Sequence, residues 1–160
     1  MNVGAFRDDR VPACNLCIAY TRPLPGGESP TAAAAAAASA ISGDAAVGAR
    51  LAAAYGARWR EVWSRAEREQ ALRARITPEH PYLLAEVVHA VDAEWARTLG
   101  DVLIRRIPLA FESRDQGRGA ARVILPYVAD RLGWDEPRQA AALVAYDAEV
   151  ERIFGEGPAE

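Results

Sequence analysis

Apolar residues recur along most of this chain at intervals of three and four, the spacing that gathers them on one face of a helix. No stretch alternates apolar and polar residues as a half-buried strand would. Val47, Leu51 and Tyr55 fall four apart and predict a first helix beginning near Asp44, with Gly56 placed as a left-handed cap. Trp59, Val62, Trp63 and Ala66 stand opposite Arg58, Glu61, Arg65 and Arg68, which predicts a second amphipathic helix reaching about Arg73. Pro78 and Pro81 end it. Beyond them Leu84, Val87, Val88, Val91 and Trp95 make the strongest stripe, so the third helix is expected at the centre of the fold with Trp95 in its apolar face.

Thr98 followed by Asp101 resembles a capping box with Asp in place of Glu. It predicts a short fourth helix that carries Leu99, Val102 and Leu103 and ends near Arg106, ahead of Pro108. Glu112 to Gly119 reads as a polar loop. Ala121, Ile124, Leu125, Val128 and Leu132 form a fifth helix stopped at Gly133, which Pro126 should bend or delay. Asp135, with Pro137 in the following turn, opens a last helix marked by Leu143, Val144, Tyr146, Val150 and Phe154.

The beginning of the chain is different. Met1 to Thr31 contains Pro12, Pro23, Pro25, Pro30 and the pair Gly26-Gly27, a density of breakers that predicts an irregular arm. The alanines from Ala32 to Ala38 favour a helix but offer almost no side chain to bury, and read as a spacer or a frayed helix. The expected fold class is therefore all-α, a compact bundle of about five to six helices over 43–154. An arm and spacer over 1–42 precede it, and a tail over 155–160 follows.

A chain of 160 residues has room for one core, and 51% hydrophobic with 26% charged residues is the balance of a globular protein. A net charge of −3 argues against a nucleic-acid partner. No run approaches the roughly 18 apolar residues of a membrane span, and the first residues, with Arg7, Asp8, Asp9 and Arg10, lack a signal peptide's apolar centre. A cytoplasmic location is the expectation. Two cysteines three apart do not frame a disulfide-stapled secreted domain.

Four constellations could carry chemistry. Cys14 and Cys17 have the spacing of a metal or redox pair, but further ligands are missing nearby, so two ordinary thiols are expected. Glu86 and His89 share a helical face at the Glu-x-x-His spacing of di-iron bundles. Those sites need the motif twice, and His80 stands apart beside Pro81, so a surface or semi-buried pair is the expectation. Glu94, Asp101, Arg105 and Arg106 concentrate opposite charges. The two arginines could hold an anion, but the favoured expectation is a structural ion-pair cluster locking the third and fourth helices together, with folding lost on Arg105→Ala. No Gly-x-Gly-x-x-Gly after a strand, phosphate loop or nucleophile elbow occurs, so no catalytic, cofactor-binding or metal residue is assigned.

Pro81-Tyr82, Ala85-Glu86-Val87, Ala90-Val91, Glu94, Ala96, Thr98-Leu99, Asp101-Val102-Leu103 and Arg105-Arg106 together resemble the C-terminal domain of FAD-dependent glycerol-3-phosphate dehydrogenases and related glycerophosphate oxidases. Leu51 with Tyr55-Gly56 resembles that domain's opening helix, and Leu132-Gly133-Trp134-Asp135 the turn before its last helix. The likeness spans about residues 46 to 154. Cys17, Thr21 and Pro23-Leu24-Pro25-Gly26-Gly27 are similar to the segment by which the family's flavin domain exits into this cap. The resemblance implies a helical cap packed on a flavin domain that itself binds FAD and oxidises glycerol 3-phosphate to dihydroxyacetone phosphate. It implies no cofactor in this chain, and a flavin-bearing partner or self-association. A split subunit completing an FAD-bearing partner in trans, a cloned fragment and a truncated gene all fit. On this reading the helices interlock around Trp95 and the twin arginines.

Overall fold

The computed structural model describes residue 27 and residues 30–155. The expected arm, with Cys14 and Cys17, and the tail over 156–160 lie outside the described residues. Within them the chain is all-α, as expected, with helices α1 (Thr31–Ser42), α2 (Ala45–Tyr55), α3 (Trp59–Arg68), α4 (Leu84–Ala93), α5 (Leu109–Glu112), α6 (Arg118–Leu132) and α7 (Glu136–Phe154). Short 3-10 turns at Gly56–Arg58 and Gln70–Arg73 and a π-helical segment at Asp101–Arg106 complete the described elements.

The alanine run is more than a spacer. It forms α1, packed along α2, with Ala34 and Ala38 buried. What makes this possible is closeness rather than side-chain size, because a Cβ placed on Gly48 would run into the Ser39 backbone. Gly43 turns the chain between the helices in the left-handed region at φ 72°, and the Asp44 carboxylate accepts from the N–H groups of Ala46 at 3.0 Å and Val47 at 3.2 Å. Gly56 has the positive φ expected of it, but its ψ of −132° leads into a 3-10 turn instead of a left-handed cap.

Trp59, Val62, Trp63 and Ala66 are the buried face of α3, as their spacing predicts. The expected run to Arg73 breaks at Glu69, whose extended backbone resets the chain before the 3-10 turn that buries Leu72. A single antiparallel bridge, Arg75 to Leu83, then brings the chain into α4. That helix is central: all residues from Leu84 to Val91 are buried, against α3 on one side and α6 on the other.

Trp95 does not belong to its apolar face. The helix closes at Glu94, Trp95 adopts φ 61°, and the Ala96 N–H folds back to the Ala90 carbonyl at 3.0 Å. The indole consequently stands 79% exposed while Ala96 takes the buried place. The helices interlock, but around Leu99, Val102, Leu103, Ile124 and Tyr146 rather than around Trp95.

The expected loop over Glu112–Gly119 is shorter than its polar composition suggests, since Glu112 ends α5 and Gly119 lies in α6. The Asp115 carboxylate organises it by accepting from the N–H groups of Gly117 at 3.1 Å and Gly119 at 2.6 Å. Pro126 lies inside α6 without delaying its start. Along α7 the Asp135 carboxylate caps the Arg138 N–H at 2.9 Å, and Tyr146 and Val150 are buried. Val144, expected on the packed face, is 69% exposed.

Gly48→Val should destabilise the protein by roughly 1–3 kcal/mol by forcing α1 and α2 apart, while Gly133→Asn, at a left-handed cap with open space around it, should cost less than about 1 kcal/mol. Urea unfolding of the two variants checks the contrast; equal losses would show that the close crossing is not what holds α1.

Candidate functional site

The densest polar chemistry in the described residues lies inside the bundle. Glu86 opens the first turn of α4 and is fully buried. Its carboxylate accepts from the Leu83 N–H at 3.0 Å and from the Tyr55 hydroxyl at 3.3 Å, and it sits 3.2 Å from the Arg50 guanidinium. Arg50 and Tyr55 both belong to α2, so the node joins two helices. The Arg50 guanidinium also lies 4.7 Å from the centre of the Tyr82 ring, and the Tyr82 hydroxyl donates to Glu112 at 2.7 Å. Arg50 of α2 thereby links to α4 through Glu86 and to α5 through Tyr82.

Burial pushes the Glu86 carboxyl above the usual range; Arg50, the Leu83 N–H and the Tyr55 hydroxyl all oppose that rise. Tyr55 is raised by its own burial first and then by the neighbouring Glu86 charge. Such a node is satisfied only as a unit, because each ionised group depends on the partner that another helix supplies.

His89, one turn further along α4, is 4% exposed. The sequence-based expectation of a surface or semi-buried Glu86–His89 pair is thus corrected: both are interior, because the stripe of α4 covers almost its whole circumference. The Tyr55 ring meets the imidazole edge-on at 5.4 Å, Nε2 lies 3.8 Å from the Glu94 carboxylate, and Nδ1 is buried with no hydrogen-bond partner. Burial, then the Arg65 charge, depress the His89 pKa below its ordinary value, against the pull of Glu94 and Glu61. A cleft of about 160 Å³ bordered by Tyr55, Arg58, His89 and Glu94 reaches this end of the node.

Glu94 continues the network outward. Its second carboxylate oxygen is 3.8 Å from Arg106 Nε, and an Arg106 N–H donates to the Glu94 carbonyl at 2.9 Å, closing the end of α4. Arg105 turns the other way, to Asp101 at 3.3 Å and to Glu149 on α7 at 2.6 Å. Both lie on the wide turn in which the Ile107 N–H reaches back five residues to the Val102 carbonyl at 2.7 Å. Asp101 accepts from the N–H groups of Arg97 and Thr98 at 3.0 Å each, and the Thr98 hydroxyl accepts from the Asp101 N–H at 3.0 Å. Burial works against ionising Asp101, yet these donors and Arg105 hold its carboxyl below the ordinary range.

The structure therefore brings Glu94 to Arg106 and Asp101 to Arg105, and adds Glu149, which sequence reasoning missed. It also missed Arg50 and Tyr55 as partners of Glu86. Tyr55 was visible only as a stripe residue, and nothing in the spacing tied it to a carboxylate thirty-one positions away. His80 is bonded to Thr77 at 3.0 Å and reaches the network only by stacking on Tyr82, away from Glu86 and His89. No group of three His, Cys, Asp or Glu side chains placed to hold a metal ion occurs among the described residues.

Arg105 is half exposed, so its loss costs pairing in water rather than in the core. Arg105→Ala should lower stability by less than about 1 kcal/mol, well short of the loss of folding anticipated from sequence. Glu86→Leu strands Arg50 and should cost about 3 kcal/mol, and adding Arg50→Met should recover much of it; denaturant titration of the three variants checks both. A second expectation concerns pH. With its pKa depressed in the fold, neutral His89 supports stability that is complete above about 6.5 and lost as pH falls through the lowered value. Unfolding free energies between pH 7.5 and 5 should fall in the wild type and fall less in His89→Leu; parallel profiles would assign the acid sensitivity elsewhere.

Comparison with known proteins places this network in a wider setting. The profile of the family described as the C-terminal domain of alpha-glycerophosphate oxidase matches residues 17–139. A glycerol-3-phosphate dehydrogenase of Synechocystis is 33% identical over 98 residues, 61% of this chain and 18% of that protein. Glycerol-3-phosphate dehydrogenase 2 of Mycobacterium tuberculosis is 33% identical over 97 residues, 61% of this chain and 17% of its own length. A probable mitochondrial glycerol-3-phosphate dehydrogenase of Caenorhabditis elegans is 39% identical over 69 residues, 43% of this chain and 9% of its own. The matches lie in the C-terminal part of these relatives, and the chain spans less than a fifth of their length. No solved structure gives a significant match.

Proposed function

The chain belongs to the family of the C-terminal domain of alpha-glycerophosphate oxidase, and we propose that it serves as the helical cap of an FAD-dependent glycerol-3-phosphate dehydrogenase, supplying packing rather than chemistry. The observation that carries this reading is the match over residues 17–139, which takes in the buried node, the Glu94–Arg106 and Asp101–Arg105 pairs and the π-helical segment together. The similarity to glycerol-3-phosphate dehydrogenases supports the choice of dehydrogenase.

FAD is held where a β-strand delivers a glycine-rich turn to the start of a helix, so that backbone N–H groups meet the pyrophosphate. The described residues do not fit that group. They contain no strand beyond the single Arg75–Leu83 bridge, and Gly43, Gly56, Gly117 and Gly133, which have positive φ, all stand at junctions between helical segments. Flavin, substrate and electron transfer are accordingly assigned to a flavin-bearing domain, on the same polypeptide or supplied in trans, and that domain is the proposed partner. The node, the seam of Glu94, Asp101, Arg105 and Arg106, and the helices they join act in this scheme as a rigid brace. Among the described residues no helix is long and apolar enough to cross a membrane. We place the cap in the cytoplasm, at a membrane only through its partner.

Purified chain incubated with FAD should remain colourless after desalting and should not reduce a dye with glycerol 3-phosphate. Absorbance near 450 nm retained by the protein, with dye reduction by the chain alone, would overturn this assignment.

A further inference from the structure

Four of the described positive-φ positions are glycines, the residue that takes this conformation without strain. Trp95 is an exception. A bulky side chain at φ 61° is disfavoured, and here the strain yields no burial, since the indole is 79% exposed. A residue that burdens the isolated fold in two ways is explained by something outside it.

The surroundings indicate what. The Arg97 guanidinium lies 5.3 Å from the Trp95 ring centre, and the Arg138 guanidinium 5.6 Å from that of Trp134. Arg97, Trp134 and Arg138 line one cleft between residues 97–100, which lead into the π-helical segment, and α7; buried Leu99 and Tyr146 give it an apolar base, and its one carboxylate, Glu149, is already held by Arg105. Neither guanidinium has a carboxylate partner among the described residues, whereas Arg105, beside the same cleft, is paired with both Asp101 and Glu149. Val144, also on α7, is 69% exposed. Two tryptophans, two uncompensated arginines and an apolar floor make the composition of a protein-binding hot spot, and its positive charge calls for carboxylates on the other side.

We infer that the cleft of Arg97, Trp134 and Arg138, with the adjoining indole of Trp95, is the docking surface for an apolar segment bearing Asp or Glu on the flavin-bearing domain. This rests on the proposed cap role. Each stacked guanidinium is pre-oriented on its ring, so a carboxylate can engage it with little further ordering. The Trp95 indole then loses its exposure on docking, which is the compensation that the free domain lacks.

The test uses the Synechocystis dehydrogenase without its matched C-terminal segment as the probe, loaded with FAD and shown by circular dichroism to be folded, titrated with the complete chain in a binding assay. Trp95→Ala and the double variant Arg97→Glu/Arg138→Glu should each weaken binding at least tenfold, and Arg114→Glu, away from the cleft, should not. Wild-type binding should weaken as salt rises. Equal binding by all variants would overturn the docking surface and leave the cap role standing; no binding by wild type to the folded, FAD-loaded probe would overturn both. If the truncated probe does not fold, the same variants are made in the full-length Synechocystis enzyme with its matched segment replaced by this chain, reading the temperature at which flavin fluorescence is released. A lower release temperature in the cleft variants alone supports docking, and unchanged release overturns it. Sedimentation of the chain with phosphatidylglycerol vesicles that Trp95→Ala abolishes, without effect on the protein complex, would make the surface a lipid contact and overturn the inference.

Discussion

A carboxylate with no access to water constrains the rest of this molecule. Glu86 is ionisable, fully buried and in the first turn of the central helix, so the fold must deliver donors to it. The Leu83 N–H comes from the same turn, but Arg50 and Tyr55 come from α2 and have to arrive in register. Their arrival requires the side chains of α2 to reach across to α4, and α1 follows because Gly48 lets it lie against α2. Burial of the tryptophan face of α3 supplies apolar area; the carboxylate supplies the reason for one arrangement over others that would bury similar area.

The same network explains how the interior is connected with the surface. Glu94 faces His89 with one oxygen and Arg106 with the other, so the end of α4 is where the buried node becomes an exposed seam. The π-helical turn sends two adjacent arginines in different directions, one to close α4 and one to hold α7. The inner groups carry large consequences for stability because they are dry. The outer ones define geometry at small energetic cost, because water competes for them.

A rigid brace of this kind suits a domain whose relatives are more than five times as long as the matched segment. Glu86 and His89 are its buried polar residues among those described, while Trp95, an aromatic residue with positive φ, is turned outward. On the proposed reading stability and recognition are separated: the core holds the helices, and the face formed by α7 and residues 97–100 is the proposed docking surface.

Helix content, the central place of α4, the start of α2 near Asp44, the cap at Asp135 and the Thr98–Asp101 box were legible in the chain itself, because they depend on spacing within a few residues. The family likeness was legible for the same reason, as a run of short blocks in order. Long-range partners were not. Tyr55 and Arg50 find Glu86, and Glu149 finds Arg105, across more than thirty positions, which no local periodicity encodes. Trp95 is misplaced for a related reason: its spacing continues the stripe, but α4 ends at Ala93, two residues earlier, and the chain turns the indole into solvent. The alanine run was misjudged because its packing depends on a glycine in the next helix. Local pattern thus determined which segments are helical and which faces are apolar; the tertiary structure alone decided which polar groups are dry and which aromatic ring is left outside, because both depend on what another segment brings to the same place.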